Sequence, residues 1–537
     1  MYSNRESEQK MSATPAAPPT APVSNPWLVA VSVMLATFME VLDTSIASVA
    51  LPYIAGSVSA SNDEATWVLT SYLVANAVIL PASSWFSQKF GRKRFLISCI
   101  IIFTISSFAC GAADSLAMIL IARTVQGAGG GALQPLSQAI LLESFPPHKR
   151  GQAMALFGLG VVVAPVLGPT VGGWLTETYS WRWAFYINIP IGVLAVMMIM
   201  RYVQDPEYIR DAKPGRFDGI GFGLLAVWLG ALQIVLDKGQ EDDWFGATWI
   251  RWAVTILVVC FVLFIVWELR RHDPLVKLRV FLNRNFTLGC ALIGLFGGVI
   301  YGLITLLPLL YQELLGYNAL DAGLAVSPRG LGAIVAMPLI GIISSRVDNR
   351  WLLAFGFTLF GFCGRWFARV DLSISQWSFL WPVILSGFGA GMIFVPLAST
   401  SMASLPNEQI GNAAGLFNLL RNIGGSVGIS LVNTIVARHE QLHRTDLAHN
   451  LNGASGTMQQ MLNGATSLVA GSGIPVVNGT PQLKAYALIN GVLSQQARLL
   501  SYVDDFQYLA AACFLCVPIV FLLKKTVTKK GAVSAAH

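Results

Sequence analysis

The chain has 537 residues, of which 54% are hydrophobic and 12% charged, with a mean hydropathy of +0.61. Soluble domains carry about 25% charged residues, so this composition excludes a soluble enzyme or binding module and predicts a polytopic membrane protein. The net charge of +7 does not point to nucleic acid, because Lys and Arg fall in short clusters between apolar runs rather than on one face or tail.

The first 26 residues are polar and rich in Pro and Ala. They lack the basic start, apolar core and cleavage site of a secretory signal, and are expected to form a disordered tail. A span needs about 20 mostly apolar residues. Fourteen stretches qualify, beginning near residues 27, 65, 95, 117, 152, 183, 217, 250, 286, 320, 351, 378, 409 and 505. Basic clusters occupy alternate connections: Lys89 with Arg92, Lys93 and Arg94; Lys149 with Arg150; Arg201 with Arg210, Lys213 and Arg216; Arg270 with Arg271, Lys277, Arg279 and Arg284; Arg346 with Arg350; and Lys524 with Lys525, Lys529 and Lys530. Those connections and both termini are therefore predicted to be cytoplasmic. The opposite connections are acidic or near neutral, as in SNDEA at 61–65 and DKGQEDDW at 237–244, with Arg365 and Arg369 near the exit of the eleventh span as the exception.

A faint internal repeat aligns SSWFSQKFGRKRFL after the second span with GIISSRVDNRWLL after the tenth, matching Lys89 to Arg346 and Lys93 to Arg350. It predicts two six-span bundles with two spans inserted between them, the symmetry of a transporter that alternates access. The expected division is a tail over 1–26, a bundle over 27–203, two inserted spans over 204–275, a second bundle over 276–525 and a cytoplasmic tail over 526–537. Within the second bundle, 437–504 reads as an outward-facing soluble loop with short helices at MQQMLNG and SQQARLLSYVDDF.

In the first span Thr37, Glu40, Asp43, Thr44, Ala47 and Ser48 recur at steps of three and four, so small and polar side chains share one face. A carboxylate at mid-bilayer costs about 2.5–3.5 kcal/mol on insertion scales and faces a bundle interior or an aqueous cavity. Two acids at i and i+3 lie about 5–6 Å apart at Cβ, and a shared cavity would couple their titration. Asp43, Glu40 and Arg123 are accordingly the expected proton-coupling residues, against the alternative of a static buried ion pair. Glu40, Thr37, Gln126, Asn418 and Arg421 are the expected ligand-binding set, with Glu40 the candidate for recognising cations. Arg123 opens RTVQGAGGGALQP in the fourth span, where the glycines would let another helix approach. Arg329 and Arg421 have no acid on their own spans and read equally well as packing anchors.

The fifth span carries LGPTVGG, whose Gly168, Pro169, Gly172 and Gly173 suit a pliable seam or tight packing. The CFLC at Cys513–Cys516 reads as packing. No metal-ligand cluster, nucleotide loop or nucleophile motif is read on any span, so neither metal nor cofactor is expected.

LDTSIASVALP, RTVQGAGGG, LGPTVGG and WRWAFYINIPIG, in that order, resemble the signature set of the fourteen-span drug/proton antiporters of the major facilitator superfamily. LATFMEVLDTSIASVALPYIAG, LPLLYQELLGY and VWELRRHDPLVKLRVFLNRNFTLG are similar to its EmrB branch, and the resemblance covers residues 27–525. It implies an all-α major facilitator fold and a multidrug exporter of the cytoplasmic membrane with protons as coupling ion. It also implies a periplasmic EmrA-like membrane fusion adaptor and an outer-membrane channel as partners. By this resemblance Asp43 is the first-span acid, Arg123 the proton-relay arginine and Gly168–Gly173 the antiporter seam. Gly91 and Arg92 survive from a cytoplasmic gating loop in which Ser84, Gln88 and Lys89 replace the family's Gly, Asp and Arg. The competing readings are an importer of metabolites, a membrane-embedded enzyme or sensor, and a passive channel.

Overall fold

The computed structural model describes residues 25–210, 215–450, 456–471 and 481–525, in which all regular elements are helical. The tails expected over 1–26 and 526–537 lie outside the described residues apart from Asn25 and Pro26. The first group of helices is α1 (Pro26–Ser57), α2 (Asn62–Phe90), α3 (Arg92–Ala112), α4 (Leu116–Gly130), α5 (Leu133–Ser144), α6 (Arg150–Thr178), α7 (Trp183–Tyr186) and α8 (Asn188–Tyr202). After α9 (Glu207–Arg210) come α10 (Gly219–Lys238) and α11 (Thr248–Arg270). The second group is α12 (Arg284–Leu309), α13 (Ala319–Val326), α14 (Pro328–Ile343), α15 (Asn349–Phe367), α16 (Leu380–Met402), α17 (Asn407–Asn450), α18 (Gly456–Gly471) and α19 (Pro481–Val520).

The helix starts follow from local chemistry. Asn25 accepts from the Trp27 amide at 3.0 Å ahead of Pro26 at the first helical turn, the arrangement that satisfies orphan donors. Ser61 and Glu64 cap each other's amides at 3.2 and 2.9 Å, so the acid read as loop charge is half of a capping box. Lys93 and Arg350, aligned by the repeat, each occupy the second residue of a helix, α3 and α15.

Among the described residues thirteen helical stretches, some joining two consecutive helices such as α4 with α5, are long and apolar enough to cross a membrane; α15, 19 residues long with Arg350 and Arg365 near its ends, is not among them, although it packs against α16 and α19. The two groups meet where α6 lies against α14 and α16, and where α2 and α5 lie against α17. The α10–α11 pair stands beside the two groups, with α10 resting on α2 and α17. On α11 only Ile250, Phe264 and Glu268 are buried, the exposure of a helix whose surroundings are lipid.

Two expectations change. The fourth span breaks at Gly131–Ala132 into α4 and α5. A Cβ on Gly127 would stand 2.3 Å from the Tyr72 carbonyl oxygen, and one on Gly131 2.4 Å from that of Asn76, so the glycine run does admit α2 at backbone distance. The segment over 437–504 is mostly not a loop. Helix α17 runs unbroken to Asn450, MQQMLNG lies inside α18, and SQQARLLSYVDDF belongs to the continuous α19. Its Gly, Asn and Ser residues masked the helical pattern, while 451–455 and 472–480 lie outside the described residues.

Candidate functional site

The close approach of α2 to α4 places the Tyr72 ring 4.2 Å from the centre of the Arg123 guanidinium, with Phe185 at 5.6 Å on α7. Between these rings Arg123 donates through Nη1 to Asp43 Oδ2 at 2.6 Å and to Gln126 Oε1 at 2.8 Å, and through Nε to the Val68 carbonyl at 3.0 Å. The second carboxylate oxygen of Asp43 accepts from Gln126 Nε2 at 2.9 Å and Asn188 Nδ2 at 2.7 Å. Asn188 Nδ2 also reaches Ser107 Oγ at 2.9 Å, and Ser107 donates to the Phe185 carbonyl at 2.8 Å. Asp43, Arg123, Gln126 and Asn188 are each 0% exposed. Charge-assisted bonds of this length are the strong class, although Arg123 Nη2 and Asn188 Oδ1 have no hydrogen-bond partner among the described residues.

One turn back on α1, Glu40 meets a different environment. Its Oε1 accepts from Asn76 Nδ2 at 3.0 Å, while the buried Oε2 has no hydrogen-bond partner. Glu40 lines a cavity of about 280 Å³ between the two helix groups. Its walls combine apolar residues such as Leu73, Leu232, Leu419 and Ile423 with Thr44, Ser48, Gln134 and Gln233, the mixture that binds amphipathic molecules.

On the side of Glu40 facing the basic connections, the groups are joined by Asn418 Nδ2 donating to Gln138 Oε1 at 2.6 Å, by Arg421 donating to Gln134, and by Arg150 donating to Asn407 Oδ1 at 3.4 Å. Arg92 lies in a latch nearby, bonded to Glu143 at 2.5 Å and to the Tyr208 hydroxyl at 3.0 Å. The carboxylate that the loop after α2 lacks is therefore supplied by α5. Asp205 adds a second, accepting from the Lys93 amide at 2.8 Å. Gly91 turns the chain there with φ +84°, and a Cβ would approach Asp205 Oδ2 to 3.0 Å, a position only glycine occupies without strain.

The residues of the expected ligand set lie in different surroundings. Glu40, Thr44 and Ser48 face the cavity, but Thr37 is 0% exposed and directs its hydroxyl to the Val33 carbonyl. Gln126 belongs to the Asp43 network and Asn418 to the seam that closes the cavity. Arg421 and Arg329 line a smaller adjoining cavity, and all three Arg329 guanidinium nitrogens lack partners among the described residues. Glu40 and Asp43 do not share a cavity: Asp43 is sealed within its network. Of the fifth-span residues, a Cβ on Gly168 would meet Ser45 Oγ at 2.1 Å and one on Gly172 would meet Ile46 at 3.2 Å, whereas Gly173 meets nothing within 4 Å. The seam on α1 thus uses Gly168 and Gly172, not Gly173, and Pro169 faces Gly323 of α13. Asn188, Asn76 and Tyr72 were not singled out by sequence; polar Asn76 and Asn188 inside apolar runs were the available signal.

Two helix groups flanking a central cavity, with a sealed ion pair beside it, form the architecture of secondary active transporters. The Major Facilitator Superfamily model matches residues 33–429. The chain is 35% identical over 511 residues to "Multidrug export protein EmrB" of Escherichia coli K12, covering 95% of this chain and 98% of that protein. It is 36% identical over 507 residues to "Fatty acid resistance protein FarB" of Neisseria gonorrhoeae, covering 94% and 97%. Among solved structures, the human organic anion transporter MFSD10 superposes with a TM-score of 0.57 at 14% identity, covering 93% of this chain and all of that one, which shows the fold. The chain belongs to the Major Facilitator Superfamily, in the branch of the EmrB-type export proteins. It is a multi-pass protein of the cytoplasmic membrane.

Proposed function

We propose that this transporter exports amphipathic compounds in exchange for protons, with Asp43 and Arg123 carrying the coupling and Glu40 facing the ligand. The observation that supports the reading is the contrast between the two acids: Asp43 is sealed in an ion-paired network, and Glu40 lines a largely apolar cavity. A proton entering the network would weaken the Asp43–Arg123 pair and with it the packing of α1 on α4, the kind of bistable element alternating access requires. Its driving force is adequate, since a charge moved across the membrane is worth about 2.3 kcal/mol per 100 mV and each tenfold of gradient about 1.4 kcal/mol. Protons are the only coupling species needed, with no cofactor. Inverted vesicles decide the direction: an acid-inside gradient should drive uptake of a lipophilic cation, and its collapse by an ionophore should stop it. Uptake indifferent to the gradient would favour a channel, and gradient-driven loss an importer.

The topology belongs to the same proposal. α15 would supply the fourteenth span, giving two six-span bundles over 27–203 and 276–525 with an inserted pair over 204–275 and both termini cytoplasmic. The basic clusters support this orientation. Single cysteines placed over 456–471 should react with an impermeant thiol reagent from outside, while one beside Lys93 should not; the opposite pattern would reverse the orientation.

The outward helical segment α17–α18–α19 is the proposed docking element for a periplasmic EmrA-like adaptor leading to an outer-membrane channel, supported by the likeness to EmrB. Removing residues 456–471 should abolish co-purification of the adaptor while transport into inverted vesicles persists. Undiminished co-purification would remove α18 from the docking surface.

A further inference from the structure

Beyond the central cavity, α17 and α19 run side by side and bring together three side chains that line neither the cavity nor the Asp43 network. His439 Nδ1 lies 2.7 Å and His443 Nε2 2.8 Å from the same Asp504 Oδ2. The three atoms all lie within 4.8 Å of one another. His439, His443 and Asp504 are 25%, 27% and 27% exposed, so solvent and solutes reach them. The His439 ring is braced edge-on by Tyr508 at 5.9 Å.

The sequence here is HEQLH, residues 439–443. Two histidines at i and i+4 share one helix face, the spacing by which a helix offers two imidazoles to one metal ion. A carboxylate from a second helix makes three protein ligands, leaving a fourth position for water, a coordination pattern that Zn²⁺ accepts. Two imidazoles with one carboxylate suit Zn²⁺, Cu²⁺ or Ni²⁺, whereas Mg²⁺ and Ca²⁺ prefer all-oxygen sites. The same five residues could suggest a hydrolytic centre in which the glutamate activates a metal-bound water. Glu440, however, accepts from Arg498 Nε at 3.0 Å, and Arg498 also pairs with Glu313 at 3.6 Å. That occupies the Glu440 carboxylate, so the cluster is read as holding an ion rather than as a hydrolytic centre.

We propose that His439, His443 and Asp504 form a binding site for a borderline divalent transition ion, with Zn²⁺ the favoured one, that staples α17 to α19. The proposal is independent of the transported substrate. An ion held by both helices and not by the unfolded chain raises stability by mass action.

The test uses the full chain purified without an affinity tag, stripped with a chelator and reconstituted in nanodiscs. Bound zinc is counted by mass spectrometry, and the thermal midpoint is followed against added ZnCl₂. The wild type should take up one Zn²⁺ per chain with a saturable rise in midpoint, and Mg²⁺ and Ca²⁺ should leave the midpoint unmoved. His439→Gln and His443→Gln retain a hydrogen-bond donor toward Asp504 but remove the imidazole. Each should weaken zinc binding at least about tenfold, because even groups that only support metal ligands contribute about 10- to 100-fold. Asp504→His, which exchanges one ligand for another, should keep binding. A wild type that takes up no zinc at micromolar concentrations, or Gln variants that bind it as the wild type does, would overturn the proposal.

Discussion

Asp43→Asn should reduce pH-gradient-driven efflux to the rate of unenergised vesicles. The amide can replace part of the hydrogen bonding to Gln126 and Asn188, but it cannot exchange the coupling proton. It also leaves Arg123 charged, fully buried and unpaired, and breaking a buried pair on one side costs about 3–5 kcal/mol. Lost transport could then reflect lost folding, and a second variant separates the two. Asp43→Asn combined with Arg123→Gln removes both charges, so it should recover most of the thermal stability while efflux stays absent. Arg123→Lys keeps the charge but loses the planar fork that holds Asp43, Gln126 and the Val68 carbonyl together, and should transport poorly while remaining folded. Proton-driven efflux at the wild-type rate in Asp43→Asn would remove the coupling assignment.

Glu40→Gln should discriminate between substrates. Glu40 lines the cavity, so a cationic substrate bound there gains a carboxylate beside it. Hydrogen bonds to charged groups contribute about 1.5–3 kcal/mol, and the neutral amide should therefore weaken binding of a lipophilic cation about ten- to a hundredfold. A neutral substrate of similar size relies on Leu73, Leu232, Leu419 and Ile423 and should keep nearly its wild-type affinity. The bond from Asn76 can be made to the Gln carbonyl, so the fold is expected to tolerate the change. Comparing the two substrates in one binding or transport assay checks this, and equal losses for both would deny Glu40 a recognition role.

These two acids show what was legible in advance. Their burial followed from an apolar run that carries charge, because the cost of placing a carboxylate in hydrocarbon is a property of the segment itself. The sharing of a face by residues 37, 40, 43, 44 and 48 followed from helical periodicity. Periodicity does not say which neighbouring helix covers each part of that face. Thr37 is covered within the bundle, Asp43 is closed over by α4 and by Asn188 of α8, and only Glu40, Thr44 and Ser48 open on the cavity. Nor does periodicity say that Gln126 meets Asp43 and Asn418 meets Gln138 across the seam between helix groups. The missed latch to Glu143 and the convergence of His439 and His443 on Asp504 likewise join residues 51 to 65 positions apart.

Hydropathy and charge alone were enough to show a multi-span, all-α membrane protein, where most of its spans lie, and that Asp43 and Arg123 are charges carried inside apolar spans. Hydropathy, charge clustering and glycine spacing act within one segment and can be read there. Tertiary structure alone decided that Asp43 is locked while Glu40 faces the cavity, that α4 breaks from α5, that Gly173 lies outside the seam it was read into, and that the presumed outer loop continues as helix. Each of these depends on which surfaces meet when distant helices pack, and a hydrogen bond such as Asn188 to Asp43, spanning 145 residues, exists only once they have.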